Sequence, residues 1–172
     1  GPLNVSDARD GHIVSDAVVA ACEQAGLPHR EDINGAEQEG VSWYQLTVKN
    51  GQRCSAAVAY LHPAMKRPNL RVETGALAQR VTFEGKKATG VEYEQHGQVI
   101  RATARKEVIL SGGAVNSPQL LQLSGIGPAD LLSSHGIGVL HALPGVGENM
   151  QDHYIFSVTF RLKPGSPSVN AK

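Results

Sequence analysis

Hydrophobic residues in the first part of the chain recur at helical spacing. Val18, Val19 and Cys22 fall at i, i+1 and i+4, so their side chains share one face of a helix. Ser15 precedes them, and serine is a favoured residue at the position that caps a helix N-terminus. We therefore expect a helix over residues 15–25.

A loop and a second helix are predicted next along the chain. Residues 28–40 are acidic and contain an Asn-Gly turn signal, which is typical of a loop. The second helix is expected to begin near Arg53 or Ser55 and to end before Pro63, because proline has no amide hydrogen for an interior helical bond.

The middle of the chain changes to the two-residue period of half-buried strands. Short alternating segments are separated by turn residues such as His96-Gly97. Close spacing of this kind favours an antiparallel meander. The predicted strands cover residues 69–74, 80–83, 89–93 and 99–104.

A different pattern follows the meander. Residues 107–110 form a short apolar run, which we predict to be one strand of a larger parallel sheet. It leads into Ser-Gly-Gly-Ala at residues 111–114, and then into a helical pattern over residues 119–124. Ser117 as the cap with Pro118 as the first helical residue is a strong helix start signal.

Two elements are predicted in the last part of the chain. Pro128 begins a short helix through Leu132, which ends at Gly136. After a loop over residues 143–149, residues 154–162 alternate as a further strand.

Composition and charge narrow the function classes. The 172 residues carry 16 Lys plus Arg and 16 Asp plus Glu, so the formal net charge is zero. Nucleic acids and anionic lipids are bound by positively charged surfaces, and a chain with no net positive charge offers little of this attraction. We therefore expect neither as a partner. Hydrophobic residues make up 41%, enough for a core. No window approaches the ~20 apolar residues of a membrane span, and the start lacks the pattern of a signal peptide.

Cysteine and histidine residues do not form a recognisable site. Cys22 and Cys54 lie outside any metal-binding spacing, which favours two free thiols and leaves a disulfide open. The histidines are scattered, and we predict no metal site. His153 follows Asp152, but neighbours on a strand point to opposite faces. A structural role is therefore favoured over a catalytic one.

The glycine pair after residues 107–110 is the strongest local candidate for a binding site. Glycines that follow a strand let the backbone approach a ligand closely, since no Cβ stands in the way. However, the chain has no GxGxxG fingerprint for a dinucleotide. From spacing alone, a cofactor contact and a plain tight turn both remain open.

A longer pattern around this pair is recognisable. Residues 111–128 read SGGAVNSPQLLQLSGIGP, which strongly resembles the second signature of the glucose–methanol–choline (GMC) oxidoreductases, GGA-x-x-SP-x-LL-x-x-SGIGP. Further stretches resemble the family in the same order: residues 34–41, 51–56, 67–72, 83–93 and 143–153. The resemblance covers nearly the whole chain and is nearest to bacterial choline dehydrogenases and related alcohol dehydrogenases.

The resemblance implies an FAD-dependent enzyme that oxidises a primary alcohol, choline-like or aliphatic, to an aldehyde by hydride transfer to flavin N5. It also implies that this chain is an interior fragment. The unit with the GxGxxG and the histidine that activates the alcohol would lie outside it, so no residue of this chain is assigned a catalytic role. The expected fold class is α/β, mixed in the isolated chain, as the later half of an FAD-binding Rossmann-like domain.

Cofactor contacts and domain limits also follow from the resemblance. Ala78, where the family usually has Val, would offer its backbone to the FAD adenine, although an ordinary strand residue is an equal alternative. Gly112, Gly113 and Ala114 match the glycine turn that lies against the dinucleotide. The implied domains are a bridging helical and loop segment (residues 1–66), the later part of the FAD-binding domain (67–150) and the start of the substrate-binding domain (151–172).

Other interpretations of the chain stay open. It could be a non-catalytic β-meander module that binds a partner through an open edge, or a chain that complements separately made pieces of the enzyme. The electron acceptor is not indicated. We expect a cytoplasmic or membrane-associated bacterial protein, and the sequence itself leaves the compartment open.

Overall fold

The structure is a computed structural model that describes residues 1–8, 11–154, 156–157, 159 and 161–167. These residues fall into two compact units. One lies within Gly1–Val72 and Ser157–Lys172, and the other within Glu73–Phe156.

The first unit contains helix α1, Ile13–Gln24. Its N-cap is His12, whose Nδ1 accepts a hydrogen bond from the amide of Val14 at 3.2 Å. The prediction of Ser15 as the cap is therefore wrong, because the imidazole performs this role and Ser15 lies inside the helix. Gly26 follows the helix with φ of +95°, the left-handed conformation that ends many helices.

The second predicted helix begins as a π-helix, in which hydrogen bonds join residues five apart instead of four. It consists of a π-helical segment, π1 (Ala57–Leu61), followed by α2 (His62–Ala64). The prediction that it ends before Pro63 is wrong. The amide of His62 donates to the carbonyl of Ala57, five residues back, so the register changes beside Pro63 and the missing amide does not end the helix.

Two antiparallel pairs of two-residue strands complete this unit. They are β1 (Ser6–Asp7) with β2 (Gln45–Leu46), and β3 (Val48–Lys49) with β4 (Gln52–Arg53). Asn50 and Gly51 join β3 to β4 with positive φ angles of 51° and 73°. Arg53 therefore belongs to a strand and not to a helix start. Segments of two residues are too short to show a period in the sequence.

The second unit is built on an antiparallel meander, which confirms three of the four strands predicted for it. Its strands are β5 (Leu77–Glu84), β6 (Lys87–Gln95) and β7 (Gln98–Thr103), antiparallel in the order β5-β6-β7. His96 and Gly97 form the second turn with φ of 53° and 75°, as a two-residue hairpin requires. Among the described residues of this unit, Val81 of β5, Leu132 and Val146 are the buried aliphatic ones.

Helix α3 spans Gly113–Leu123 and α4 spans Ala129–Ser134. The predicted start of α3 at Ser117 and Pro118 is wrong, because Pro118 lies inside the helix. Proline there removes one bond, the one that its amide would donate to the carbonyl of Ala114, and the turns on either side remain. The short helix after Pro128 and the stop at Gly136, where φ is +69°, are confirmed.

A short parallel pair follows α3, and three predicted strands are not formed. Strand β8 (Ile126–Gly127) pairs with β9 (His141–Ala142). Residues 69–74 and 107–110 pair with no strand in the described part of the chain. The described residues of 154–162 are not a strand either, and Ile155, Val158 and Phe160 lie outside the described residues. Alternation sets which side chains share a face, but a strand also needs a backbone partner.

Candidate functional site

A cleft of about 420 Å³ lies in the Glu73–Phe156 unit, where the start of β5, residues 108–112 and the first turns of α3 meet. We name it the glycine cleft. It is lined by Leu77, Ala78, Val91, Val108, Ile109, Leu110, Ser111, Gly112, Asn116, Ser117, Gln119, Leu120 and Leu123.

The structure brings two of the four predicted cofactor-contact residues together. Ala78 and Gly112, distant in sequence, both line the glycine cleft. Gly113 and Ala114 follow Gly112 in the first turn of α3 and are exposed outside the cleft lining. The assignment of all four as cofactor contacts stays a prediction.

The two adjacent glycines serve different steric needs. A Cβ on Gly112 would lie 3.1 Å from the Cβ of Asn116, so a side chain at residue 112 would crowd α3. Gly113 has φ of +85°, a conformation that L side chains rarely adopt, with open space where a Cβ would be. The turn therefore favours glycine at both positions without reference to a ligand, and most strongly at residue 113.

Ser117 is the polar group that the sequence interpretation missed at this site. Its Oγ accepts a hydrogen bond from the Gly112 amide at 2.9 Å, which holds the turn against α3. The Gly112 amide is thus already bonded, and the Ser117 hydroxyl hydrogen is left to donate to an acceptor in the cleft. The only sequence signal for this role is the Ser117-Pro118 pair, and serine before proline is equally typical of a helix cap.

The cleft fits a planar, largely apolar group better than a phosphate. Its walls carry aliphatic side chains, among them Val108, Ile109 and Leu110, and none of its described lining residues is charged. An aromatic ring such as the adenine of FAD suits apolar walls with a few polar groups at the rim. A pyrophosphate is bound by cations or by free helix amides. The described lining offers no cation, its Gly112 amide is already bonded, and the first-turn residues Gly113 and Ala114 lie outside it. The residues present therefore fit the ring portion of a dinucleotide.

The remaining candidate residues form no second reactive site. The His153 amide donates to Oδ1 of its neighbour Asp152 at 2.7 Å, a local contact in an exposed segment. The imidazole is not held by that carboxylate through any bond within the described ranges. Cys54 is buried and Cys22 half-buried, and both are free thiols, as predicted.

The described residues offer neither a metal-binding cluster nor a membrane-spanning helix. No group of three or more His, Cys, Asp or Glu within them is arranged to hold a metal ion. Among their helices, none has the length and apolar character needed to cross a bilayer.

Solved structures share this architecture. An FAD-dependent oxidoreductase from Chaetomium thermophilum superposes with a TM-score of 0.80 at 32% identity, over 84% of this chain and 26% of that protein. Pyridoxine 4-oxidase from Mesorbium loti gives a TM-score of 0.79 at 34% identity, over 84% of this chain and 28% of that protein. The mixed α/β fold class is confirmed by these neighbours.

Sequence relatives point to the same group. Mitochondrial choline dehydrogenase of Homo sapiens is 57% identical over 153 residues, which cover 89% of this chain and 26% of that protein. Alcohol dehydrogenase [acceptor] of Pseudomonas putida is 51% identical over 155 residues, with 89% and 28% covered. The chain therefore spans little more than a quarter of the length of these relatives. A profile of the GMC oxidoreductases matches residues 1–155. The chain belongs to the GMC oxidoreductase family.

Proposed function

We propose that this chain is part of an FAD-dependent dehydrogenase that oxidises a primary alcohol, choline-like or aliphatic, to its aldehyde. The observation that carries the proposal is the meeting of Ala78 and Gly112 at one cleft. Family membership and the FAD-dependent structural neighbour indicate FAD as the cofactor. The names of the choline and alcohol dehydrogenase relatives support the substrate class.

The residues of this chain would bind and orient the cofactor. The aliphatic walls of the glycine cleft would hold the adenine and exclude water from it, since apolar contact and water exclusion favour a planar ring. The Ser117 hydroxyl would donate to an acceptor atom at the rim. Bound FAD would supply the hydride acceptor, flavin N5.

The proposal assigns a role to each segment of the chain. Residues 67–150 would form the later part of the FAD-binding domain, with residues 1–66 leading toward the substrate side and residues 151–172 beginning the substrate-binding domain. The base that takes the alcohol proton would lie in a part of the polypeptide outside this chain. No residue of this chain is proposed as catalytic.

The test is made on the polypeptide that carries this chain at the length of its relatives. We expect the purified protein to retain the absorbance of oxidised flavin through gel filtration, and to reduce a redox dye when choline or an aliphatic alcohol is added. The variant Ala78→Trp fills the glycine cleft and should lower the flavin content several-fold. Val99→Trp is the matched control, because Val99 is exposed on β7 and lies outside the cleft lining.

Two outcomes would contradict the proposal. Flavin retained equally by Ala78→Trp and Val99→Trp would remove the glycine cleft from the cofactor site. A protein that holds no flavin and oxidises no alcohol would overturn the enzyme proposal and favour the non-catalytic meander module.

A further inference from the structure

A second cleft in the Glu73–Phe156 unit is not explained by the proposed function. It has a volume of about 640 Å³ and lies between the meander and residues 136–138. Arg80, Glu92 and Arg101 line its meander side, and Gly136 and Gly138 line the opposite side. We name it the arginine cleft.

Three charged residues form a row across the three strands of the meander. Arg80 is paired with Glu92 in the register of β5 and β6, and Glu92 is paired with Arg101 in the register of β6 and β7. The Arg80 Nε–H donates to Oε2 of Glu92 at 2.6 Å. This hydrogen bond, together with the charges of both arginines, lowers the pKa of Glu92. At neutral pH the row therefore carries two positive charges and one negative charge.

Most of the guanidinium donors in this row have no hydrogen-bond acceptor among the described residues. Glu92 engages Nε of Arg80, which leaves the two terminal nitrogens of that side chain. In the part of the chain that the structure describes, the guanidinium of Arg101 makes no hydrogen bond, and its interaction with Glu92 is electrostatic. The bond to Glu92 restrains the Arg80 guanidinium, so a second acceptor would meet an oriented group.

The opposite wall includes two small residues. Gly136 and Gly138 both line the cleft, and a Cβ built on either would meet no atom within 4 Å. No side chain of these two residues therefore fills the cleft.

We propose that the arginine cleft binds a small molecule through an oxyanion group, a phosphate or a carboxylate, held by Arg101 and the terminal nitrogens of Arg80. The planar guanidinium matches the oxygen spacing of both anions, and charge-assisted hydrogen bonds of this type are the strong ones. The row supplies more positive than negative charge, so a cationic ligand is disfavoured. This site does not depend on the proposed flavin function.

A purely structural explanation of the row predicts a different result. Exposed cross-strand ion pairs support sheet pairing weakly and need no ligand. In that case, added anions would leave the cleft unchanged, or would act through general charge screening. The experiment must therefore separate Arg101 from other arginines of the same unit.

The test is a titration of the isotopically labelled 172-residue chain with inorganic phosphate, and separately with acetate, at constant ionic strength. The backbone amide signals of Gly136 and Gly138 report on the cleft by NMR. We expect a saturable shift with at least one anion, and the anion that binds more tightly identifies the oxyanion class. Arg101→Gln should weaken this binding by about tenfold or more, because it removes charge-assisted hydrogen bonds.

Two further variants make the result decisive. Arg105→Gln makes the same charge change at an exposed position outside the cleft lining, and its affinity should stay within about twofold of the unsubstituted chain. Arg101→Lys keeps the charge but loses the planar fork, so we expect an intermediate affinity. The proposal is overturned if neither anion gives a saturable shift, if Arg105→Gln loses as much affinity as Arg101→Gln, or if both Arg101 variants bind like the unsubstituted chain.

Discussion

The hydroxyl oxygen of Ser124 accepts a hydrogen bond from the amide of Val81 at 2.8 Å, which joins the end of α3 to the edge strand β5. Val81 is one of the buried residues of its unit, so its amide would otherwise face neither a strand nor water. The adjacent residue Leu123 lines both the glycine cleft and the arginine cleft. This single bond therefore helps to set the position of α3 relative to both sites.

Loss of the hydrogen bond between the Val81 amide and Ser124 should lower the stability of the fold. Ser124→Ala leaves the Val81 amide buried without an acceptor, and we expect the free energy of unfolding to fall by about 1–3 kcal/mol. Urea unfolding followed by circular dichroism measures it. Ser134→Ala is the matched control, because Ser134 is exposed and bonds only to its own helix turn. Equal losses in the two variants would contradict the role given to Ser124.

Gln122 is expected to hold the loop over residues 143–149. Its Nε2 donates to the carbonyl of Val146 at 3.0 Å. The loop passes close to this side chain, because a Cβ on Gly147 would lie 2.7 Å from Nε2 of Gln122. Gln122→Ala should lower the free energy of unfolding by about 1 kcal/mol and speed the hydrogen exchange of the Val146 amide. The exposed Gln119 on the same helix provides the control, Gln119→Ala. Unchanged exchange at Val146 in Gln122→Ala would show that the loop is held by other contacts.

Stability should depend on the ionisation of Glu92. Its pKa is lowered from the ordinary value of 4.5, chiefly by the hydrogen bond from Arg80. A lowered folded-state pKa adds stability above pH 4.5, and this stability is lost as the pH falls through the folded value. The difference in unfolding free energy between the unsubstituted chain and Glu92→Gln should therefore shrink on acidification from neutral pH.

Urea unfolding at a series of pH values measures this difference. Glu84→Gln is the control, because Glu84 is an exposed carboxylate at the end of β5. A difference for Glu92→Gln that is constant across the acid range would contradict the ion-pair explanation.

The 172-residue chain by itself should bind flavin weakly or not at all and should not oxidise alcohols. Residues 107–110 pair with no strand among the described residues, and Ile109 is 74% exposed. One wall of the glycine cleft is thus a segment that belongs to no sheet of the described residues, so no strand pairing holds it rigid for a ligand. Gel filtration of the chain with added FAD, followed by absorbance, measures retention. Stoichiometric flavin in the protein peak would show that the chain forms a complete site.

Local signals were sufficient for some elements. The meander was predictable because its alternation and its turns, including His96-Gly97, are set by residues next to one another. The helix after Pro128 was predictable for the same reason, since its start and its stop at Gly136 are local. The signature around the glycine turn identified the family, which the profile match confirmed.

Other features depended on partners that the sequence does not name. The cap of α1 is an imidazole, because His12 stands where its Nδ1 meets a free helix amide. The serine at position 117 looked like a helix cap, yet it bonds the amide of Gly112 from inside α3. Local preference indicates what a residue can do, and the neighbour that it meets decides which role it takes.

The sequence by itself determined the family, the meander and the residue types at the glycine turn, because these depend on adjacent positions and on a long motif. Only the tertiary structure placed Ala78 and Gly112 in the lining of one cleft, and Arg101 in one row with Arg80. Contacts of this kind depend on strand register and on how a helix packs against a sheet edge. Both arise when distant segments bury apolar surface together, which no local pattern encodes.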